Sequence, residues 1–148
     1  EVEIKMLHPV GDGCFSAAWL RPVDGSLRPE IDIVEVIGSK PDEVWGVFHY
    51  IDGKILKREY QNYILDDVNS FHIYRFNWSE SEMNWFVNDY KIMTQETNIP
   101  DKPMFLIVNL AVGGTWPKDP GATKFPKQLV IDYIKICPEN EECTWIYY

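Results

Sequence analysis

The chain has 148 residues, a net charge of -9, and 45% hydrophobic and 14% aromatic side chains, which suits one domain, residues 1–148, with a core of real size. No cluster of lysine or arginine is present, so the footprint of a nucleic-acid binder is missing, and no run of about 18 apolar residues offers a membrane span. The negative charge also disfavours strongly anionic polymers as ligands and leaves neutral ones open.

Short strand-like runs separated by Gly, Pro, Asp and Asn recur from end to end, and no segment sustains a 3.6-residue apolar period. The expected class is all-β. Glu1 does not open a signal peptide, which predicts a processed, excised or truncated chain. Residues 2–7 alternate loosely and end in a loop over residues 8–13, where His8 is expected at the surface. Residues 15–20 form a second run, stopped by Arg21-Pro22 and the turn at residues 23–26.

Residues 30–35 then read Glu-Ile-Asp-Ile-Val-Glu, three carboxylates within six residues of a strand-forming segment. Regular alternation puts Glu30 and Asp32 on one face with Ile31 and Ile33 on the other, which sends Glu35 to the isoleucine side. One β-bulge at Ile33 or Val34 opposes two residues to one and turns over everything beyond it. Glu30, Asp32 and Glu35 then share a face, and Ile31, Ile33 and Val36 share the core face. Crowded acids repel, so at least one pKa rises, which is the condition for acid–base chemistry. Two carboxyls about 5 to 5.5 Å apart suit a retaining glycosidase. A solvated strand face, or a cation site built from oxygen ligands, are the other readings of such a trio.

Residues 44–50 form the next strand, with Trp45, Val47 and His49 on one face and Val44, Phe48 and Tyr50 on the other. Asp52-Gly53 marks a tight hairpin into residues 55–60. Residues 71–78 and 83–87 alternate, with Met83, Trp85 and Val87 together, and Asn88-Asp89 turns the chain into residues 91–93. Residues 104–112 are the most apolar stretch. There Asn109 shares a face with Phe105, Ile107 and Ala111, and reads as either a ligand contact or a satisfied structural amide. Residues 113–123 are loop, including Trp116-Pro117. On the last strand, residues 129–136, Asp132 shares a face with Val130, Ile134 and Ile136, so its carboxylate needs a cation or backbone donors. Cys137 and Cys143 bracket residues 138–142 and are either a disulfide, which suits an extracellular protein, or free thiols. One antiparallel β-sandwich accounts for the pattern.

The order of these segments resembles glycoside hydrolase family 16, the concanavalin-like jelly-roll β-glucanases. The acidic stretch is similar to the bulged signature of laminarinases. Upstream, residues 13–20 (Gly-Cys-Phe-Ser-Ala-Ala-Trp-Leu) and, downstream, residues 45–50 (Trp-Gly-Val-Phe-His-Tyr) resemble the flanking strands. So do residues 71–74 with Trp78, and residues 85–88. The most specific match is residues 109–117 (Asn-Leu-Ala-Val-Gly-Gly-Thr-Trp-Pro), followed by Phe125-Pro126 and residues 131–136.

The resemblance implies a retaining endo-glycosidase acting on β-1,3 or mixed β-1,3/1,4 glucan, secreted, and with no cofactor required for catalysis. It makes Glu30 the nucleophile, Glu35 the general acid/base and Asp32 the residue between them, hydrogen-bonded to the nucleophile. His49, Trp45, Asn109 and Trp116 become the substrate-binding candidates. Trp19, Trp78 and Trp85 are expected in the core, and His72 at a structural position. Asp132 matches a position that helps bind a structural calcium. Leu27, Arg28 and Pro29 stand where the family carries a tryptophan and a glycine, and Phe15-Ser16 stand in place of a tryptophan-proline pair. The family's N-terminal strands are not found, so the sandwich is expected either minimal and partly open or completed by a second chain. A non-catalytic carbohydrate-binding module on the same fold is the alternative function.

Overall fold

The computed structural model describes residues 1–138 and 141–147, so Glu139 and Asn140, inside the loop bracketed by the two cysteines, lie outside the described residues. Eleven strands form two antiparallel sheets, and no helix occurs among the described residues. In chain order they are β1 (Val2–Leu7), β2 (Cys14–Pro22), β3 (Glu30–Ile37), β4 (Glu43–Asp52), β5 (Ile55–Ile64), β6 (His72–Trp78), β7 (Met83–Val87), β8 (Tyr90–Gln95), β9 (Met104–Val112), β10 (Val130–Ile136) and β11 (Thr144–Tyr147). One sheet runs β11-β10-β1-β6-β7-β8 and the other β5-β4-β3-β2-β9. β11 was not visible in the sequence, and it follows the Cys137–Cys143 disulfide that the structure contains.

The core lies between the sheets and is built from one face of the strands that enclose it: Ile4 and Met6, Ala18 and Leu20, Val44 and Phe48, Tyr74 and Phe76, Met83, Trp85 and Val87. Two-residue periodicity therefore carries over directly from sequence to packing. Gly46 sits on the core face of β4, where an added Cβ would come 2.9 Å from the Trp85 ring, so the absence of a side chain makes room for the indole. The hairpin from β4 to β5 closes at Asp52 opposite Ile55, with Gly53 at φ +63° in the turn.

Three bulges break the alternation: one in β3, one in β10, and one at Ile92 of β8, where Trp85 pairs with Met93 but Phe86 with Lys91. In β3, Asp32 pairs with Val47 and Glu35 with Trp45, three residues of one strand against two of the other; on the β2 side Val34 pairs with Ala18 and Asp32 with Trp19. Ile33 is the extra residue, and Ile31, Ile33, Val34 and Val36 are all buried in the core. The second bulge is in β10, where Tyr133 pairs with Lys5 but Ile131 with Met6. It corrects the face expected for Asp132: Ile131 turns inward with Ile134 and Ile136, and Asp132 turns out to Lys5, whose Nζ lies 2.7 Å from its carboxylate.

His8 is a further correction. It is buried rather than exposed, with Nδ1 2.7 Å from Ser16 Oγ and its ring edge-on to Tyr74. Burial pushes its pKa down to about 3. A loop residue next to a strand end can fold under the sheet, and periodicity carries no signal for that.

Candidate active site

The exposed face of the five-stranded sheet is set by the bulge in β3. Because Ile33 takes up one extra place, Glu30, Asp32 and Glu35 emerge on the side opposite the core, across from His49, Val47 and Trp45 respectively. A bulge leaves a carbonyl without its ladder partner. Here the Trp85 indole, from the other sheet, donates to Asp32 C=O at 2.9 Å. The core thus holds the kink in place from behind.

Asp32 is 4% exposed and its carboxyl pKa is raised well above the usual range, first by burial and then by Glu35 and Glu30. Glu35 is raised to about 7, by burial first and by Glu30 second, against a small opposing pull from Arg58. Glu30 instead accepts a hydrogen bond from the Arg28 guanidinium at 3.2 Å. His49 Nε2 lies 3.5 Å from Asp32 Oδ2 and 4.0 Å from Glu30 Oε1, and burial, Arg28 and Arg58 together lower its pKa. Among the hydrogen bonds of the described residues none joins the Asp32 carboxyl to Glu30, and that carboxyl faces His49 instead. The site therefore sets two carboxyls with raised pKa values close to a glutamate held by a guanidinium, which is the equipment for proton transfer beside a nucleophile.

A cleft of about 590 Å³ opens on this face, lined by Glu35, Trp45, Val47, His49, Arg58, Tyr60, Thr115 and Trp116. Trp45 and Trp116 lie 6.5 Å apart between ring centres, Tyr60 is 5.9 Å from Trp45, and Phe15 is 5.4 Å from Trp116. Aromatic faces of this kind suit flat, partly apolar rings such as pyranoses. Of the expected binding residues, the structure brings Trp45, His49 and Trp116 together in the cleft. Asn109 is on the same sheet face but on the β2–β9 flank, where its Oδ1 accepts from Trp19 Nε1 at 2.8 Å.

That bond places Trp19 on the cleft face, opposite Asp32, and corrects its expected place in the core. Even-numbered residues of β2 face inward, and residue 19 falls on the other parity. Trp85 is fully buried as expected, and Trp78 packs half-buried at the edge of the core. His72 is structural, its ring nitrogens bonded to Asp67 C=O and Asn88 Nδ2. Arg58, Tyr60 and Thr115 were missed. The first two were within reach, because the β4–β5 hairpin register sets Arg58 against His49 and Tyr60 against Val47.

Asp132 does not fit a calcium site. Its carboxylate is held by an ammonium group, whereas calcium takes six to eight oxygens. Among the described residues the one cluster with metal-ligand spacing is Glu30, Asp32 and His49, inside the cleft.

Residues 1–135 match the family model described as glycosyl hydrolases family 16. A beta-glucanase of Rhodothermus marinus is 33% identical over 90% of this chain and 55% of its own length. Among solved structures, the laminarinase catalytic domain of Thermotoga maritima superposes with a TM-score of 0.78 at 31% identity, covering 90% of this chain and 61% of that one. The endo-beta-1,3-glucanase of Pyrococcus furiosus gives 0.80 at 27% identity, over 99% of this chain and 61% of its own. The chain thus spans about half the length of the beta-glucanase it matches, and its two sheets form the same jelly-roll sandwich.

Proposed function

The chain belongs to glycosyl hydrolases family 16, and from that premise we propose that it is a retaining endo-glycosidase that hydrolyses β-1,3 or mixed β-1,3/1,4 glucan. One observation carries the reading: Glu35 keeps its proton up to about pH 7 on the same sheet face as Glu30. Similarity to a beta-glucanase and to an endo-1,3-1,4-beta-glycanase supports the substrate class.

In the first step the Glu30 carboxylate attacks the anomeric carbon while Glu35 gives its proton to the departing glycosidic oxygen, so a glycosyl ester forms as the sugar–oxygen bond breaks. Arg28 donates to the Glu30 carboxylate at 3.2 Å and steadies its position. In the second step Glu35, now a carboxylate, takes a proton from water, which attacks the same carbon and frees Glu30. Burial and the two glutamates raise the pKa of Asp32 between them, which disfavours a third negative charge there, and burial lowers the pKa of His49, which faces it. Trp45 and Trp116 hold the sugar rings across the sheet. The Cys137–Cys143 bond supports an extracellular setting, where disulfides persist.

Glu30→Gln and Glu35→Gln are each expected to cut reducing-sugar release from laminarin at least about a hundredfold, with the circular dichroism spectrum unchanged. Wild-type turnover by both variants would end the assignment.

A further inference from the structure

The distribution of charge over the cleft face carries the glycosidase reading further and rests on it. The chain has four arginines, Arg21, Arg28, Arg58 and Arg75. Three of them stand on the face that bears the acids: Arg21 against the Trp19 ring, Arg28 on Glu30, and Arg58 across from His49. Within a net charge of -9, three of the four arginines are thus gathered on the face that bears the acids.

Glu30 accounts for Arg28. Nothing in the protein accounts in that way for Arg58, which makes no ion pair or hydrogen bond among the described residues although the chain has 23 acids. Its neighbours along β5, Lys57 and Glu59, alternate to the other face, where Asp52 and Tyr50 take them up. The Arg58 guanidinium carbon lies 5.2 Å from the centre of the Tyr60 ring, and both residues line the cleft beside Trp45. Stacking of this kind orders the guanidinium plane and leaves its N–H fork open to a ligand. A neutral hexose offers only hydroxyls. A carboxylate or sulfate matches the fork with two parallel charge-assisted bonds.

We infer that the β4–β5 flank of the cleft is a subsite for a sugar unit bearing an oxyanion, carboxylate or sulfate ester, with Arg58 as its specificity-determining residue and Trp45 and Tyr60 as the rings beside it. The acidic whole chain is no obstacle, because screening limits charge effects to about 8–10 Å at moderate salt.

The test measures kcat/KM on three substrates: plain laminarin, laminarin oxidised at C6 to the carboxylate, and laminarin carrying sulfate esters. Wild type, Arg58→Met and Arg58→Lys are compared at low and high salt. The ratio of anionic to neutral substrate is expected to fall on the order of tenfold in Arg58→Met, to be partly kept in Arg58→Lys, and to fall in wild type as salt is added. A fall with only one anion identifies that anion as the ligand group. An unchanged ratio with both anions, or a wild-type ratio indifferent to salt, overturns the inference. If Arg58→Met does not fold, Arg58→Lys and the salt series decide. If wild type releases no product from any of the three, the glycosidase reading fails by itself, and affinity electrophoresis on the same polymers supplies the same ratios.

Discussion

Glu35 is buried on a sheet face that also carries Glu30 and Asp32, and burial contributes more than either neighbour to keeping it protonated. As the proton donor of the first step it must be in its acid form, so activity depends on pH with a definite sign. kcat/KM is expected to hold below about 7 and to fall tenfold per pH unit well above it, because the acid form is lost as pH rises through the raised pKa. A pH–rate profile on laminarin reads this directly, and an alkaline limb near 4.5, where an exposed glutamate titrates, would contradict it. Arg58 opposes the rise at Glu35, so Arg58→Met should move the same limb upward. The residue-level logic also explains Trp85: its ring fills the core and its N–H answers the carbonyl that the kink leaves over.

The extra residue Ile33 is the element-scale device that fixes both faces of β3. Deleting it leaves Glu-Ile-Asp-Val-Glu, in which plain alternation again puts all three acids on one side. Pairing would stay in step on either side, because three residues against two becomes two against two. The deletion is therefore expected to fold and keep its acid face, with a loss of about 2–3 kcal/mol from one buried isoleucine. Inserting one residue after Val34 should instead turn Glu35 toward the core and abolish turnover. Thermal melts and laminarin assays on the two variants separate these outcomes. The bulge in β10 works similarly, by turning Asp132 out to Lys5. Adding calcium, or a chelator, should accordingly leave the melting temperature unchanged, whereas a calcium-dependent rise would show that Asp132 is ligated after all.

Across the whole molecule the acid trio trades stability for chemistry. Asp32 and Glu35 have folded pKa values above their ordinary ones, so the folded state gains on the unfolded one as pH falls through that window, and carries the full penalty above it. Asp32→Asn is expected to raise the melting temperature at pH 8, to do so much less at pH 4, and to lower turnover. His8 acts in the opposite direction. Its folded pKa of about 3 lies below the ordinary value, so the stability it contributes is lost as pH falls from about 6.5 toward 3. Melting curves of wild type and Asp32→Asn at pH 8 and pH 4 test the first sign, and those of wild type and His8→Gln from about pH 6.5 down toward 3 test the second.

The all-β class, the sandwich, and the acid stretch with its bulge were legible from the sequence, because two-residue alternation and turn chemistry are local, and the cleft residues Trp45, His49 and Trp116 were legible through the resemblance to the family. The partnerships were not legible. Whether Asn109 meets a ligand or Trp19 and which way Asp132 faces depend on register between strands far apart in the chain, and the burial of His8 depends on how its loop packs against Ser16 and Tyr74. A strand's sequence states what alternates along it, and only its neighbours in the sheet decide what each side chain meets.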